Sequence, residues 1–150
     1  MMALVPLSAS GETVLSVNDL RLPFLVDTGA SVSAIRRADL PDVLPSGESM
    51  SAIGISGVPS RLQLSKPLKV GAASQVYQHA FLLSDTLPVN LLGRDLLCKL
   101  GCSIFCSPKG VYLRIPRQAE AHLLPLLKSE EPAVRPGLDP TFLHYHLRYA

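Results

Sequence analysis

The residues with the clearest capacity for chemistry lie in Phe24-Leu25-Val26-Asp27-Thr28-Gly29-Ala30. A carboxylate directly after an apolar strand is awkward, since burying an isolated anion costs several kcal/mol. A strand end followed by a glycine turn resolves this. It sets Asp27 at a cleft, within reach of backbone N–H groups, while Thr28 bonds locally and Gly29 allows a tight backbone. A carboxylate so placed can act as a general acid or base. Read alone, the triplet is more simply an ordinary strand–turn with aspartate as turn former. A second segment follows downstream, Leu87-Pro88-Val89-Asn90-Leu91-Leu92-Gly93-Arg94-Asp95-Leu96-Leu97, and between the two lies a glycine-containing hairpin around Ile53 to Val58.

This order resembles the retroviral aspartic proteases, the retropepsins. They run from an apolar strand into Asp-Thr-Gly-Ala, through a glycine-rich flap, to two aliphatic residues, Gly-Arg-Asp or Gly-Arg-Asn, and a helix. The stretches Phe24–Ala30 and Leu91–Leu97 look most like the gammaretrovirus or endogenous-retrovirus branch, and the resemblance spans about residues 13–116. It implies a mostly β fold, a closed antiparallel barrel with a flap hairpin and one short C-terminal helix, assembled as a homodimer. It implies an aspartic endopeptidase acting on a polypeptide held extended, with no metal and no organic cofactor.

The dimer is also a chemical demand. This route to amide hydrolysis uses two carboxylates sharing one proton, and the chain has one Asp-Thr-Gly. Two copies of Asp27 across a two-fold axis supply the pair. By resemblance, Asp27 is catalytic. Thr28 ties the two turns together, Gly29 meets substrate backbone, and Ala30 completes the loop. Ile53, Gly54, Ile55, Ser56, Gly57 and Val58 form the flap. Leu25, Ala30, Ile55, Pro88 and Val89 line apolar subsites, although core packing explains Leu25, Ile55 and Val89 equally well. Gly93, Arg94 and Asp95 give structural support. Arg94 braces the active-site loop, with Asp95 or a backbone carbonyl as its partner.

The elements that must carry these residues follow from local pattern. Thr13–Val17 and Leu20–Val26 read as a hairpin about Asn18-Asp19. Ser31–Ile35 is β-prone, and residues 36–49, with Pro41, Pro45 and Gly47, read as loop. Met50–Ser65 reads as a second hairpin, with further strands at 67–71 and 75–83. Leu92, Leu96, Leu97 and Leu100 mark one face of a helix that Lys99 and Gly101 close. Ser103–Cys106 and Val111–Ile115 form a third hairpin, whose apolar face of Val111, Leu113 and Ile115 is the expected dimer interface. Residues 1–12 show no period and read as a leader of little consequence. Residues 13–117 are the protease domain. From there Pro125, Pro132, Pro136 and Pro140 break the chain, so 118–150 reads as a tail or polyprotein linker, and its histidines, His122, His144 and His146, as solvated.

Composition narrows the classes. A chain of 150 residues with 47% hydrophobic and 17% charged residues has apolar material for one folded domain. Fourteen Lys and Arg against twelve Asp and Glu leave +2, with neither basic clustering nor zinc-knuckle spacing, so no nucleic-acid partner is expected. No apolar run approaches the ~18 residues of a membrane span. Three cysteines, an odd number, suit a reducing compartment and read as buried free thiols. The expected location is intracellular, or within a virion if the chain is part of a polyprotein. The rival reading is a non-catalytic domesticated remnant that keeps the fold as a dimerisation or peptide-binding module; the intact Asp27, Thr28 and Gly29 speak against it.

Overall fold

The computed structural model describes residues 2–53 and 57–116. Twelve strands and one α-helix fill this span in the order β1 (Met2–Pro6), β2 (Glu12–Val17), β3 (Leu20–Val26), β4 (Ala34–Arg36), β5 (Pro45–Ile53), β6 (Pro59–Ser65), β7 (Leu68–Ala72), β8 (Gln75–His79), β9 (Leu82–Ser84), β10 (Asn90–Leu92), α1 (Arg94–Leu100), β11 (Ser103–Ser107) and β12 (Gly110–Pro116). A 3-10 turn, Arg37–Asp39, follows β4. The β2–β3 hairpin turns on Asn18 and Asp19, both at positive φ (48° and 69°), the backbone that two-residue hairpin loops require and that Asn and Asp tolerate. Along β2, Thr13, Leu15 and Val17 are buried while Val14 is exposed, the alternation of a strand with one face on the core.

The expected closed antiparallel barrel is not what forms. Nine strands make one open sheet in the order β5-β6-β9-β4-β10-β3-β2-β7-β8, and a separate three-stranded sheet runs β1-β12-β11. β5 and β8 stand at opposite edges, so among the described residues no ladder closes the ring. Nor is the sheet purely antiparallel, because β10 pairs parallel with β3 and β4 parallel with β9. Strand order depends on contacts distant in sequence, which local alternation does not encode.

Two local readings also change. Residues 45–49, assigned to loop because of Pro45 and Gly47, belong to β5, which starts beside Ser65 and slips register before Ser49. Proline is tolerated there as the first residue of an edge strand. Residues 1–12, expected to add little, supply β1, which pairs with β12 from Met2↔Pro116 to Pro6↔Tyr112.

The core joins both sheets to the helix. Leu15, Val17, Phe24, Ile35, Val70, Phe81 and Leu83 pack with Leu92, Leu96, Leu97 and Leu100, and Leu113 and Ile115 enter the same cluster from β12. Leu113 and Ile115 are 0% and 2% exposed, so the expected intermolecular face is inside the protomer, and only Val111 of that trio is exposed. Helix α1 ends where Gly101 takes a left-handed conformation (φ 63°) and its N–H reaches the carbonyls of Cys98 and Leu97. The expected tail, 118–150, lies outside the described residues.

Candidate active site

Parallel pairing decides where the chemistry sits. β3 and β10 run side by side with Val26 opposite Leu92, so the residues that follow, Asp27 and Gly93, leave the sheet together at one end. The Asp27 N–H donates to Leu92 O at 3.0 Å, continuing the pairing into the turn. The Ala30 N–H then closes that turn on Asp27 O (3.1 Å), and the Gly29 N–H donates to Asp27 Oδ1 (3.0 Å). Asp27 is half-buried, Thr28 is buried and Gly29 is exposed. A methyl group at Gly29 would sit 3.2 Å from Asp27 Oδ1, crowding the carboxylate.

The turn is buttressed from behind by β10 and α1. A Cβ at Gly93 would fall 2.8 Å from both the carbonyl carbon and the oxygen of Val32, and 3.0 Å from Ala30 O, so only glycine permits this backbone-to-backbone approach. Two bonds cross the seam: Gly93 N–H to Ser33 Oγ and Arg94 N–H to Ala30 O, both 2.9 Å. The Arg94 guanidinium donates to Thr28 O at 2.9 Å. Of the two partners considered for Arg94, this bond is to the backbone carbonyl.

Asp95 faces the other way. Its Oδ1 accepts from the Ser33 N–H (2.9 Å), the Ser33 hydroxyl (2.7 Å) and the Leu96 N–H (2.7 Å). Its Oδ2 lies 2.8 Å from His79 Nε2. Burial pushes the Asp95 pKa up, but the hydrogen bonds from His79 and from the Ser33 hydroxyl and amide, together with the charge attraction of the His79 ring when it is protonated, outweigh it and hold the carboxyl below its ordinary value. His79 is 7% exposed, with its ring edge-on to Phe81.

A family model described as retroviral aspartyl protease matches residues 8–105. The chain belongs to that family. No curated protein matches it. Among solved structures it is similar to "EIAV protease complexed with the inhibitor HBY-793", with 28% identity and a TM-score of 0.51 over 67% of this chain and 96% of that one. Family and fold are therefore those of an aspartic-type peptidase.

The remaining site residues of this retropepsin divide by position. Leu25 pairs with Leu91 at the centre of the β3–β10 ladder, while Pro88 is exposed and Val89 half-buried just ahead of β10. Ile53, at the far end of β5, and Val58, just ahead of β6, are 71% and 64% exposed, and Gly57 next to Val58 has φ +75°. Gly54, Ile55 and Ser56 lie outside the described residues. A pocket of about 400 Å³ opens beside the 3-10 turn among Arg36, Arg37, Pro41, Ser84, Asp85 and Leu87; no residue of the Asp27 turn lines it.

Sequence reasoning gave no site role to four residues that hold this retropepsin's site together. Ser33, His79 and Lys99 join Asp95 in one chain of bonds. Asn90 is buried: its Oδ1 accepts from Arg36 N–H (2.8 Å) and its Nδ2 donates to Pro23 O and Asp39 Oδ2 (3.0 Å each), tying β3, β4 and the 3-10 turn. Asn90 lay within the quoted motif, and a polar residue in an apolar run was the available signal. The cysteines also differ from expectation. All three are free, but Cys98 and Cys106 are exposed, and only Cys102 is largely enclosed, its thiol pushed up to about 12 by burial.

Proposed function

We propose that the chain is an aspartic endopeptidase that works as a homodimer, with one Asp27 from each protomer forming the catalytic pair. The observation that carries this reading is the Asp27 turn itself. A half-buried carboxylate, fixed by the Gly29 N–H, stands on a loop locked to Gly93 and Arg94 inside the family-matched segment. One protomer offers a single such carboxylate. Two carboxylates about 3 Å apart cannot both ionise, the arrangement general to aspartic proteases, so the pair shares a proton. The ionised Asp27 takes a proton from a bound water, which attacks the scissile carbonyl. The protonated Asp27 polarises that carbonyl and passes its proton toward the leaving amine. The β5–β6 hairpin closes over an extended peptide whose alternate side chains meet Leu25, Ala30, Pro88 and Val89. Closeness to the gammaretrovirus or endogenous-retrovirus branch is supported by Phe24–Ala30, by Leu91–Leu97 and by the hairpin after the helix. An intracellular or virion location rests on the free cysteines.

The test is hydrolysis of a peptide library by wild type and Asp27→Asn. The variant keeps the shape of the turn and removes the charge, so the rate is expected to fall by about 10²–10⁴-fold, the share ordinarily carried by general acid–base catalysis. Specific activity of the wild type is expected to fall on dilution through the dimer dissociation constant. Equal rates for the two proteins would refute the mechanism, and a fully active monomer would refute the shared site.

A further inference from the structure

Behind the Asp27 turn runs an unbroken line of polar groups, and the direction of every hydrogen bond in it can be assigned. Lys99 Nζ donates to Gln78 O (2.7 Å) and lies 2.9 Å from His79 Nδ1. An ammonium has donors and no acceptor, so Nδ1 must offer its lone pair. The single ring proton then sits on Nε2, where it points at Asp95 Oδ2 (2.8 Å). Asp95 Oδ1 accepts both the amide and the hydroxyl of Ser33. Because that hydroxyl proton is given to Asp95, Ser33 Oγ is left as the acceptor for the Gly93 N–H at 2.9 Å. Gly93 is the residue in backbone contact with Val32 and Ala30.

We propose that His79 is a positioning residue for the Asp27 loop, locked by Lys99 as the neutral Nε2–H tautomer, and that this lock is what requires aspartate rather than asparagine at position 95. An asparagine there keeps an oxygen for the two Ser33 donors, so its NH2 must face His79. It then meets Nε2–H donor to donor. The ring can answer only by moving its proton to Nδ1, where the Lys99 ammonium already donates. The defect is therefore electronic and removable: without Lys99 the ring is free to change tautomer and accept from the introduced amide. The interaction joins α1 and β8 to the loop after β3 and touches no reacting atom.

Its activity readout rests on the peptidase reading; its spectroscopic readout does not. Long-range proton–nitrogen correlation of the His79 ring, in the Asp27→Asn protein to prevent self-cleavage, is expected to show the neutral Nε2–H pattern at neutral pH. A charged ring or the Nδ1–H tautomer would overturn the proposal. A cycle of Asp95→Asn, Lys99→Met and the double variant follows. Asp95→Asn is expected to lower kcat about tenfold or more with KM little changed, and Lys99→Met to restore most of that loss, a coupling of the size found between residues in one network. Additive losses would overturn the proposal. If the wild type cleaves no peptide, the peptidase reading fails, and the same cycle is read from the Gly29 and Ala30 amide shifts, displaced by Asp95→Asn and returned by the double variant. Should Asp95→Asn not fold, His79→Gln, which keeps an N–H for Asp95, is compared with His79→Leu, which does not. Retention of activity or amide shifts by the first and loss by the second supports the lock; equal losses overturn it.

Discussion

Replacing Gly93 with alanine tests the seam that holds the Asp27 loop. The backbone at Gly93 (φ −91°, ψ −179°) is open to any residue, so the cost is purely steric. The new methyl would lie 2.8 Å from the Val32 carbonyl carbon. Carbon atoms pack comfortably at about 3.5 Å, so the loop must retreat by about 0.7 Å. That displacement stretches the two seam bonds, each 2.9 Å, to about 3.6 Å, beyond useful hydrogen bonding. Overpacking costs about 1–3 kcal/mol and each of the two lost bonds about 0.5–1.5 kcal/mol, which together give about 2–6 kcal/mol. This is a large part of the roughly 5–15 kcal/mol that ordinarily holds a domain folded. Gly47→Ala is the control: its φ is +94° and nothing lies within 4 Å, so only backbone strain of about 1–2 kcal/mol applies. The assay is urea unfolding at one fixed protein concentration, with all variants built on Asp27→Asn. If Gly93→Ala costs no more than Gly47→Ala, the seam does not constrain the loop.

Asn90→Leu fits the space but strands the Arg36 N–H, the Pro23 carbonyl and Asp39, and is expected to cost about 2–4 kcal/mol by the same unfolding assay. Asp95 has a folded pKa below its unfolded value, so its stabilisation is whole above about pH 3.9 and fades as pH falls through the folded value. Urea midpoints across an acid series are therefore expected to fall more steeply for wild type than for Asp95→Asn below about pH 4, and parallel curves would contradict this. Thiol alkylation followed by mass spectrometry is expected to label Cys98 and Cys106 quickly and Cys102 only after unfolding, since burial pushes its thiol up to about 12.

Much of the site was readable because its parts are local in sequence. Asp27-Thr28-Gly29 is a strand end plus turn, and Leu96, Leu97 and Leu100 write a helix face whatever surrounds them. The Asn18-Asp19 turn was equally plain, since few other residues accept positive φ. What could not be read was non-local. β1 owes its existence to β12, more than a hundred residues away, and nothing in Met2–Pro6 alone calls for a strand. The open strand order, which replaces the expected barrel, is set by which strands meet in space. Ser33, His79 and Lys99 are separated from one another by 20 to 66 positions, so no motif could join them. The cysteines were a different matter. Cys98 falls off the Leu96–Leu97–Leu100 face and its exposure was legible in the helical period, had position been weighed above residue type.

The β5–β6 hairpin meets the rest of the large sheet at one register pair, Leu64↔Leu82. The bonds that tie β6 to its surroundings cluster at that end: Ser65 N–H to Phe81 O (2.8 Å), Phe81 N–H to Ser65 Oγ (3.0 Å), and Arg37 to Gln63 (2.8 Å). Mechanically this is a beam clamped at its root. From Ser65 to Pro59 the beam runs about 20 Å at about 3.3 Å per residue, so a tilt of about 10° at the clamp carries its far end about 3.5 Å. Such a tilt leaves the rungs between β5 and β6 intact and disturbs no side chain of the core cluster. The lever's stiffness is thus set by a few residues at its root, and the melting of the domain by others. Substitutions at Gln63 or Arg37 are expected to retune how far the Pro59 end moves while leaving the thermal midpoint of the fold where it was.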